Sequence, residues 1–267
     1  MRFTSIASGS SGNSTYIGTE DTHVLIDVGV TMKAINEGLH HLELGLQDVN
    51  AIFLTHEHID HIKAIGTISR KYGIPVYGTL ETLQEVLMNR SLGVVPKDLL
   101  HPILPDHPMK VGDLKIRAFS IDHDAANPVG YRIETDDGSK KAAVATDMGH
   151  YTPYVQEHLM DLDVMLVESN HDLGMLASGP YPVSLKRRIL SDHGHLSNDN
   201  AGSLIDETLN QRIRHVFLGH LSKENNLPML ALQTVKHQID ASESEFHADD
   251  FDITVAKRDG ISEIVEF

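Results

Sequence analysis

The densest group of chemically competent side chains is LTHEHIDH, residues 54–61, at the end of an apolar run over 51–55. His56 and His58 are two residues apart, so in an extended segment both imidazoles leave the same side of the chain and can chelate one metal ion. Asp60 and His61 are adjacent where a helix is expected to begin, and can turn toward a second ion beside the first. Two divalent cations roughly 3.5–4 Å apart are the arrangement that serves in-line displacement at phosphate. A solvated, charged loop is the bland alternative. Three histidines and two acids within six residues, poised at the end of a core strand, argue against it.

Composition points the same way. The 267 residues include 18 histidines and no cysteine, so any transition-metal site must be built from imidazole and carboxylate. The missing cysteine also excludes disulfides, thiolate sites and cysteine nucleophiles. With 38 acidic and 22 basic residues the net charge is -16, so the surface as a whole does not attract polyanions. No apolar run is long enough to cross a membrane, and the N-terminus lacks the apolar stretch of a signal peptide. A cytoplasmic location is therefore expected.

The elements that must position these residues alternate in both halves of the chain. Strands are expected over 3–7, 14–18, 23–27, 51–55 and 75–77, with helices over 31–43, 62–72 and 80–88. Further strands are expected over 114–120, 129–134, 141–146, 164–168 and 216–219, and β-rich pieces after 251. Helices are expected over 183–190, 198–209 (capped by Ser197) and 229–238. No repeat or linker divides the chain, which reads as one domain over 1–267 with sheets packed between helices.

His-X-His-X-Asp-His after a strand resembles the signature of the metallo-β-lactamase superfamily. The resemblance implies further ligands in a fixed chain order, and FSIDHDA, VATDMGH and FLGHLSKEN supply His123, Asp147 and His220. By resemblance His56, His58 and His123 hold one ion, Asp60, His61 and His220 hold a second, and Asp147 bridges them. This seven-ligand set, with its two carboxylates, speaks against β-lactam cleavage. GSSGNS at 9–14, ESNHD at 168–172 and GHLSNDNAG at 194–202 resemble motifs of the nuclease branches, among them ribonuclease Z and the β-CASP proteins. There Glu168 corresponds to a supporting acid and His195 to a phosphate-facing histidine. Together these motifs resemble the YycJ/WalJ-type bacterial exonucleases. The resemblance implies an α/β fold, the four-layer α/β/β/α metallo-β-lactamase sandwich, with two divalent ions per chain (Zn²⁺, Mn²⁺ or Fe²⁺). It also implies a two-metal phosphodiester hydrolase acting 5′-to-3′ on a nucleic acid, DNA rather than RNA, with Asp60 handling the proton of the attacking water.

Departures from that pattern bear on the substrate. The segment between Asp147 and His220 is too short for a nucleic-acid-clamping domain, and no Gly/Lys-rich arm is present. Candidate substrate contacts are few: Lys186, Arg187 and Arg188 in LKRRIL, of which at least two are expected on a solvated helix face, and Lys223. Asp27 in HVLIDVG, His171 and His193 are candidate partners for ligand imidazoles; the remaining histidines read as structural or exposed. Two alternatives stand beside the exonuclease. One is a phosphodiesterase acting on cyclic or short substrates, which suits the acidic surface; the other is a metal-dependent regulatory module without turnover.

Overall fold

The apolar runs become strands covered on both faces, which is why most of them lack polar alternation. The computed structural model describes residues 1–267 and arranges these strands in two seven-stranded sheets. The first half of the chain supplies β1 (Arg2–Ala7), β2 (Ser14–Gly18), β3 (His23–Ile26), β4 (Ala51–Phe53), β5 (Val76–Thr79) and β6 (Leu100–Ile103), neighbours in that order. The second sheet runs through β7 (Met109–Val111), β8 (Leu114–Ser120), β9 (Val129–Thr135), β10 (Lys141–Ala145), β11 (Val164–Glu168), β12 (His215–Gly219) and β13 (Ile253–Val255). The short β14 (Val265–Glu266) returns to pair antiparallel with β1.

In each sheet the later strands run parallel, β3 to β6 and β10 to β13. Parallel neighbours need crossovers, and helices provide most of them. In the first half α1 (Met32–His40), α2 (Ile59–Ile62), α3 (Ile65–Tyr72) and α4 (Leu80–Met88) do so. In the second half these are α5 (Pro153–Leu159), α6 (Leu173–Ser178), α7 (Val183–Ile189), α8 (Asn198–Thr208) and α9 (Pro228–Ala241). The Ser197 hydroxyl caps α8 by accepting from the Asn200 amide at 3.2 Å, as its position in the sequence predicts.

Side chains alternate along each strand between two of three cores. On β11, Val164 and Leu166 enter the core between the sheets, beside Phe3, Phe53 and Tyr131. Met165 and Val167, the intervening residues, face the core under α5, α8 and α9. On β3, Val24 and Ile26 point inward while Leu25 packs with Ile35 and Leu39 of α1. Three cores between four layers make the expected α/β/β/α sandwich, the metallo-β-lactamase fold. Burial worth about 1.5–3 kcal/mol per large apolar side chain makes this frame stable enough to hold strained turns at its edge. No helix is long and apolar enough to cross a membrane.

Several elements differ from the sequence reading. The expected helix over 62–72 starts earlier, at Ile59, and breaks at Lys63–Ala64 into α2 and α3. The first helix stops at His40, before a left-handed Glu43 with φ of 61°. The strands β6 and β7 and the helices α5 and α6 had no counterpart in the sequence reading. β6 and β7 are short edge strands, one holding Pro102, and pairing to a neighbour defines them more than any pattern of their own.

Candidate metal centre

Every candidate ligand follows or ends a strand at its C-terminal edge, where open α/β sheets place their sites. In the first sheet Asp27 directly follows β3 and residues 54–61 follow β4; in the second, His123 lies beyond β8, Asp147 beyond β10 and His220 directly after β12. The site therefore straddles both sheets. Asp27, Asp147 and His220 adopt φ of 62°, 62° and 54°. Left-handed backbone at a non-glycine residue costs of order 1–3 kcal/mol and persists where the surroundings enforce it. Here it turns the chain sharply at the strand end, so the side chain reaches over the edge instead of joining a sheet face.

The loops are fitted closely. Gly29 packs beneath the Asp60 carbonyl, where an added Cβ would come within 1.6 Å of the oxygen. The Asn13 amide donates to that carbonyl at 2.8 Å, and the Gly29 amide donates to the Asn13 carbonyl at 2.7 Å. The GSSGNS loop thus fixes α2, which carries Asp60 and His61.

Ligand atoms of His56, His58 and His123 lie within 4.8 Å of one another, and so do those of Asp60, His61 and His220. Asp147 reaches both groups. Its Oδ2 is 3.2 Å from His61 Nε2, and its Oδ1 is 3.4 Å from His220 Nε2 and 3.8 Å from His123 Nε2. The opposite ring nitrogens are occupied. His61 Nδ1 donates to Asp27 Oδ2 at 2.7 Å, while the Thr55 amide and hydroxyl donate to the same carboxylate, each at 2.8 Å. His56 Nδ1 donates to the Thr55 hydroxyl at 3.0 Å, His123 Nδ1 to the Gly194 carbonyl at 3.1 Å, and His220 Nδ1 to Glu168 Oε1 at 2.9 Å. Each bond selects the tautomer that leaves Nε2 unprotonated toward the centre.

These residues fit divalent cations. His56 Nε2, His220 Nε2 and Asp147 Oδ2 are buried without a hydrogen-bond partner, a costly arrangement for polar atoms unless something else meets them. The electrostatics agree. Burial works against the charge on Asp147, yet the His220 and His61 rings outweigh it and hold its carboxyl well below the usual range. Burial also opposes charge on His61 and His220, but Asp147 and the other nearby carboxylates push His61 well above the usual range and His220 up to about 10. Burial pushes His56 well below the usual imidazole range and His123 below it. Protons thus gather where the carboxylates demand positive charge, the demand that bound cations satisfy. An all-imidazole and carboxylate set suits Zn²⁺, Mn²⁺ or Fe²⁺.

Glu168 and His195 form the next layer. Glu168 is fully buried; its Oε1 accepts from His195 Nδ1 at 2.8 Å and from His220 Nδ1, and its Oε2 from the amides of Met148 at 2.7 Å and Leu196 at 3.3 Å. With both oxygens engaged, Glu168 orients two imidazoles and does not itself line the adjoining cleft. Burial raises its pKa, but the His195 and His220 rings bring it down to about 2. His195 lines a cleft of about 170 Å³ together with Arg188, Tyr181, Ser10, Asn170 and Ser222.

Of the basic run, only Arg188 lines that cleft, where it pairs with Asp124. Lys186 donates to the Ala177 carbonyl at 2.7 Å, and Arg187 is exposed outside the cleft. Successive helical residues point about 100° apart, so three in a row cannot face one ligand. Lys223 lies in an adjoining groove. Asp27 is the partner of His61, but His171 has no hydrogen bond at either ring nitrogen, and burial brings its pKa down to about 4. His193 contributes only its carbonyl, to the Asp124 amide at 3.2 Å. Neither of the two orients a ligand.

Sequence reasoning missed Thr55, which links Asp27 to His56. It also assigned no role to Asn13, whose Nδ2 is 3.0 Å from His61 Nε2, or to Ser8, whose hydroxyl accepts from the His220 amide at 2.8 Å. The GSSGNS motif was the available signal for Asn13; Ser8, just outside it, carried none.

The beta-lactamase superfamily domain is matched over residues 22–220. Exodeoxyribonuclease YycJ of Bacillus anthracis is 36% identical over 240 residues, covering 90% of this chain and 89% of that protein. Exodeoxyribonuclease WalJ of Streptococcus pneumoniae is 39% identical over 239 residues, covering 90% of this chain and 88% of that protein. Among solved structures, Zn²⁺-bound PqqB from Methylobacterium extorquens aligns with a TM-score of 0.73 at 16% identity over 100% of both chains, a likeness of fold.

Proposed function

The chain belongs to the metallo-β-lactamase superfamily and is a hydrolase, and we propose that it cleaves the phosphodiester bonds of DNA as a 5′-to-3′ exonuclease that uses two divalent ions. One observation carries this reading: two three-residue ligand groups, His56/His58/His123 and Asp60/His61/His220, meet at the shared, buried Asp147. The extended similarity to two exodeoxyribonucleases supports the substrate class.

Bound by these residues, divalent ions supply Lewis acidity toward phosphate and water that ionises near neutral pH. Asp60, with its side chain 22% exposed, is the ligand carboxylate that solvent reaches, so it orients the attacking water and accepts its proton. His195, its Nδ1 held by Glu168, presents Nε2 to the cleft and protonates the leaving oxygen. Glu168 and Asp27 are positioning residues that set the tautomers of His195, His220 and His61.

The small cleft and the net charge of -16 favour a second reading, a phosphodiesterase for cyclic or short substrates. Digestion of 5′-labelled and 3′-labelled DNA and RNA with Mn²⁺ or Zn²⁺ separates the two. Progressive loss from the 5′ end of DNA is expected. Turnover of short esters alone supports the second reading, and no turnover on any phosphodiester overturns both.

A further inference from the structure

Beside the metal centre lies a groove of about 350 Å³ whose wall holds Lys223, Lys257 and Arg258 and no acidic residue. In a chain with 38 acidic and 22 basic residues, such a wall is unusual. None of the lysine or arginine ion pairs of the protein includes these three. Lys223 and Lys257 are exposed, whereas Arg258 is half-buried and donates to the Leu221 carbonyl at 2.6 Å. The charges are thus unneutralised, and one is anchored in the wall.

The groove adjoins the cleft. Ser222 lines both, and His220 through Lys223 are consecutive, so their Cα atoms are at most about 11 Å apart. Ser8 lines the groove, accepts from the His220 amide, and donates its own amide to the Lys257 carbonyl at 3.0 Å. Leu221, Leu227, Pro228 and Val255 give the floor an apolar character. The N-terminus of α9, which no side chain caps, adjoins the same space.

A groove with unpaired cations and apolar lining, beside a centre proposed to cleave phosphodiesters, matches a chain of phosphates joined by sugars and bases. We infer that this groove is the track for the sugar–phosphate backbone of a single nucleic-acid strand whose end lies at the metal centre. The inference rests on the phosphodiesterase reading and adds where a polymer lies. It also explains how so acidic a protein holds a polyanion: attraction is confined to one channel.

The test is binding of a fluorescent, phosphorothioate-linked thymidine oligonucleotide to the metal-loaded protein across a salt series. Each phosphate contact to a single strand contributes about 0.7 to the slope of log affinity against log salt. The double variant Lys223→Ala/Lys257→Ala should lower that slope by about 1.4 and weaken binding on the order of tenfold at 0.1 M salt. Arginine at both positions should restore it. Lys110→Ala, on β7 at the opposite edge of the second sheet, should leave slope and affinity unchanged. Metal content and thermal midpoint serve as fold controls. Equal slopes for the native protein and the double variant overturn the inference, as does a native protein that binds no oligonucleotide. Digestion of end-labelled DNA and hydrolysis of a nitrophenyl phosphodiester by the native protein judge the phosphodiesterase reading separately.

Discussion

Asp27→Asn tests how the fold sets up its ligands. Asp27 accepts three hydrogen bonds: from the Thr55 amide and hydroxyl at 2.8 Å each, and from His61 Nδ1 at 2.7 Å. Asparagine keeps the shape, tolerates the left-handed backbone, and retains one acceptor for the Thr55 amide. Its amide nitrogen, however, meets His61 Nδ1 donor to donor. The ring relieves this by moving its proton to Nε2, the nitrogen that faces the ion, and a protonated nitrogen cannot coordinate. Loss of such an orienting partner typically weakens metal affinity 10–100-fold, or about 1.4–2.7 kcal/mol. Losing the two hydrogen bonds at Oδ2, from the Thr55 hydroxyl and His61 Nδ1, should lower the stability of the metal-free fold by about 2–4 kcal/mol. Competition titration with Zn²⁺ against a chromophoric chelator should show one equivalent bound as in the native protein and the other weakened. Two equivalents bound with native affinity would refute the tautomer argument.

His195→Ala should keep its metal content and melting temperature but lose about 10²–10⁴-fold in phosphodiester turnover. The loss should shrink with a nitrophenyl leaving group that needs no proton, and a loss of metal would make His195 a ligand instead. Asp147→Ala should abolish turnover and reduce occupancy of both sites, since Asp147 approaches ligands of both groups; elemental analysis showing full occupancy would exclude the bridging role. Gly29→Ala forces a Cβ against the Asp60 carbonyl, and should destabilise the fold by about 3 kcal/mol or more in chemical denaturation; native-like stability would show that this approach is not required.

Much of this was legible because chemistry and burial leave periodic or local marks. Strands covered on both faces read as unbroken apolar runs, and LTHEHIDH carries five potential ligand or proton-handling groups in one segment. Asp27 stood out as an acid at a strand end. Less visible were features created by long-range approach. The Ser8 hydroxyl meets the His220 amide across 212 residues of chain, and Lys223 and Lys257 line one groove because β12 and β13 are neighbours. The basic run shows the limit of composition: Lys186, Arg187 and Arg188 are equivalent as letters, and only helical phase selects Arg188 for the cleft. The left-handed turns at Asp27, Asp147 and His220 left no signal, since none is a glycine.

The central claim is that two ions at one Asp147-linked centre cleave DNA. The most direct measurement is hydrolysis of a 5′-labelled oligodeoxynucleotide by chelator-stripped protein reloaded with zero, one and two equivalents of Mn²⁺ or Zn²⁺, with bound metal counted in the same samples. The account predicts negligible cleavage without metal and full cleavage only as occupancy approaches two ions per chain. Full activity at one ion or fewer, or no cleavage with two ions bound, would contradict it.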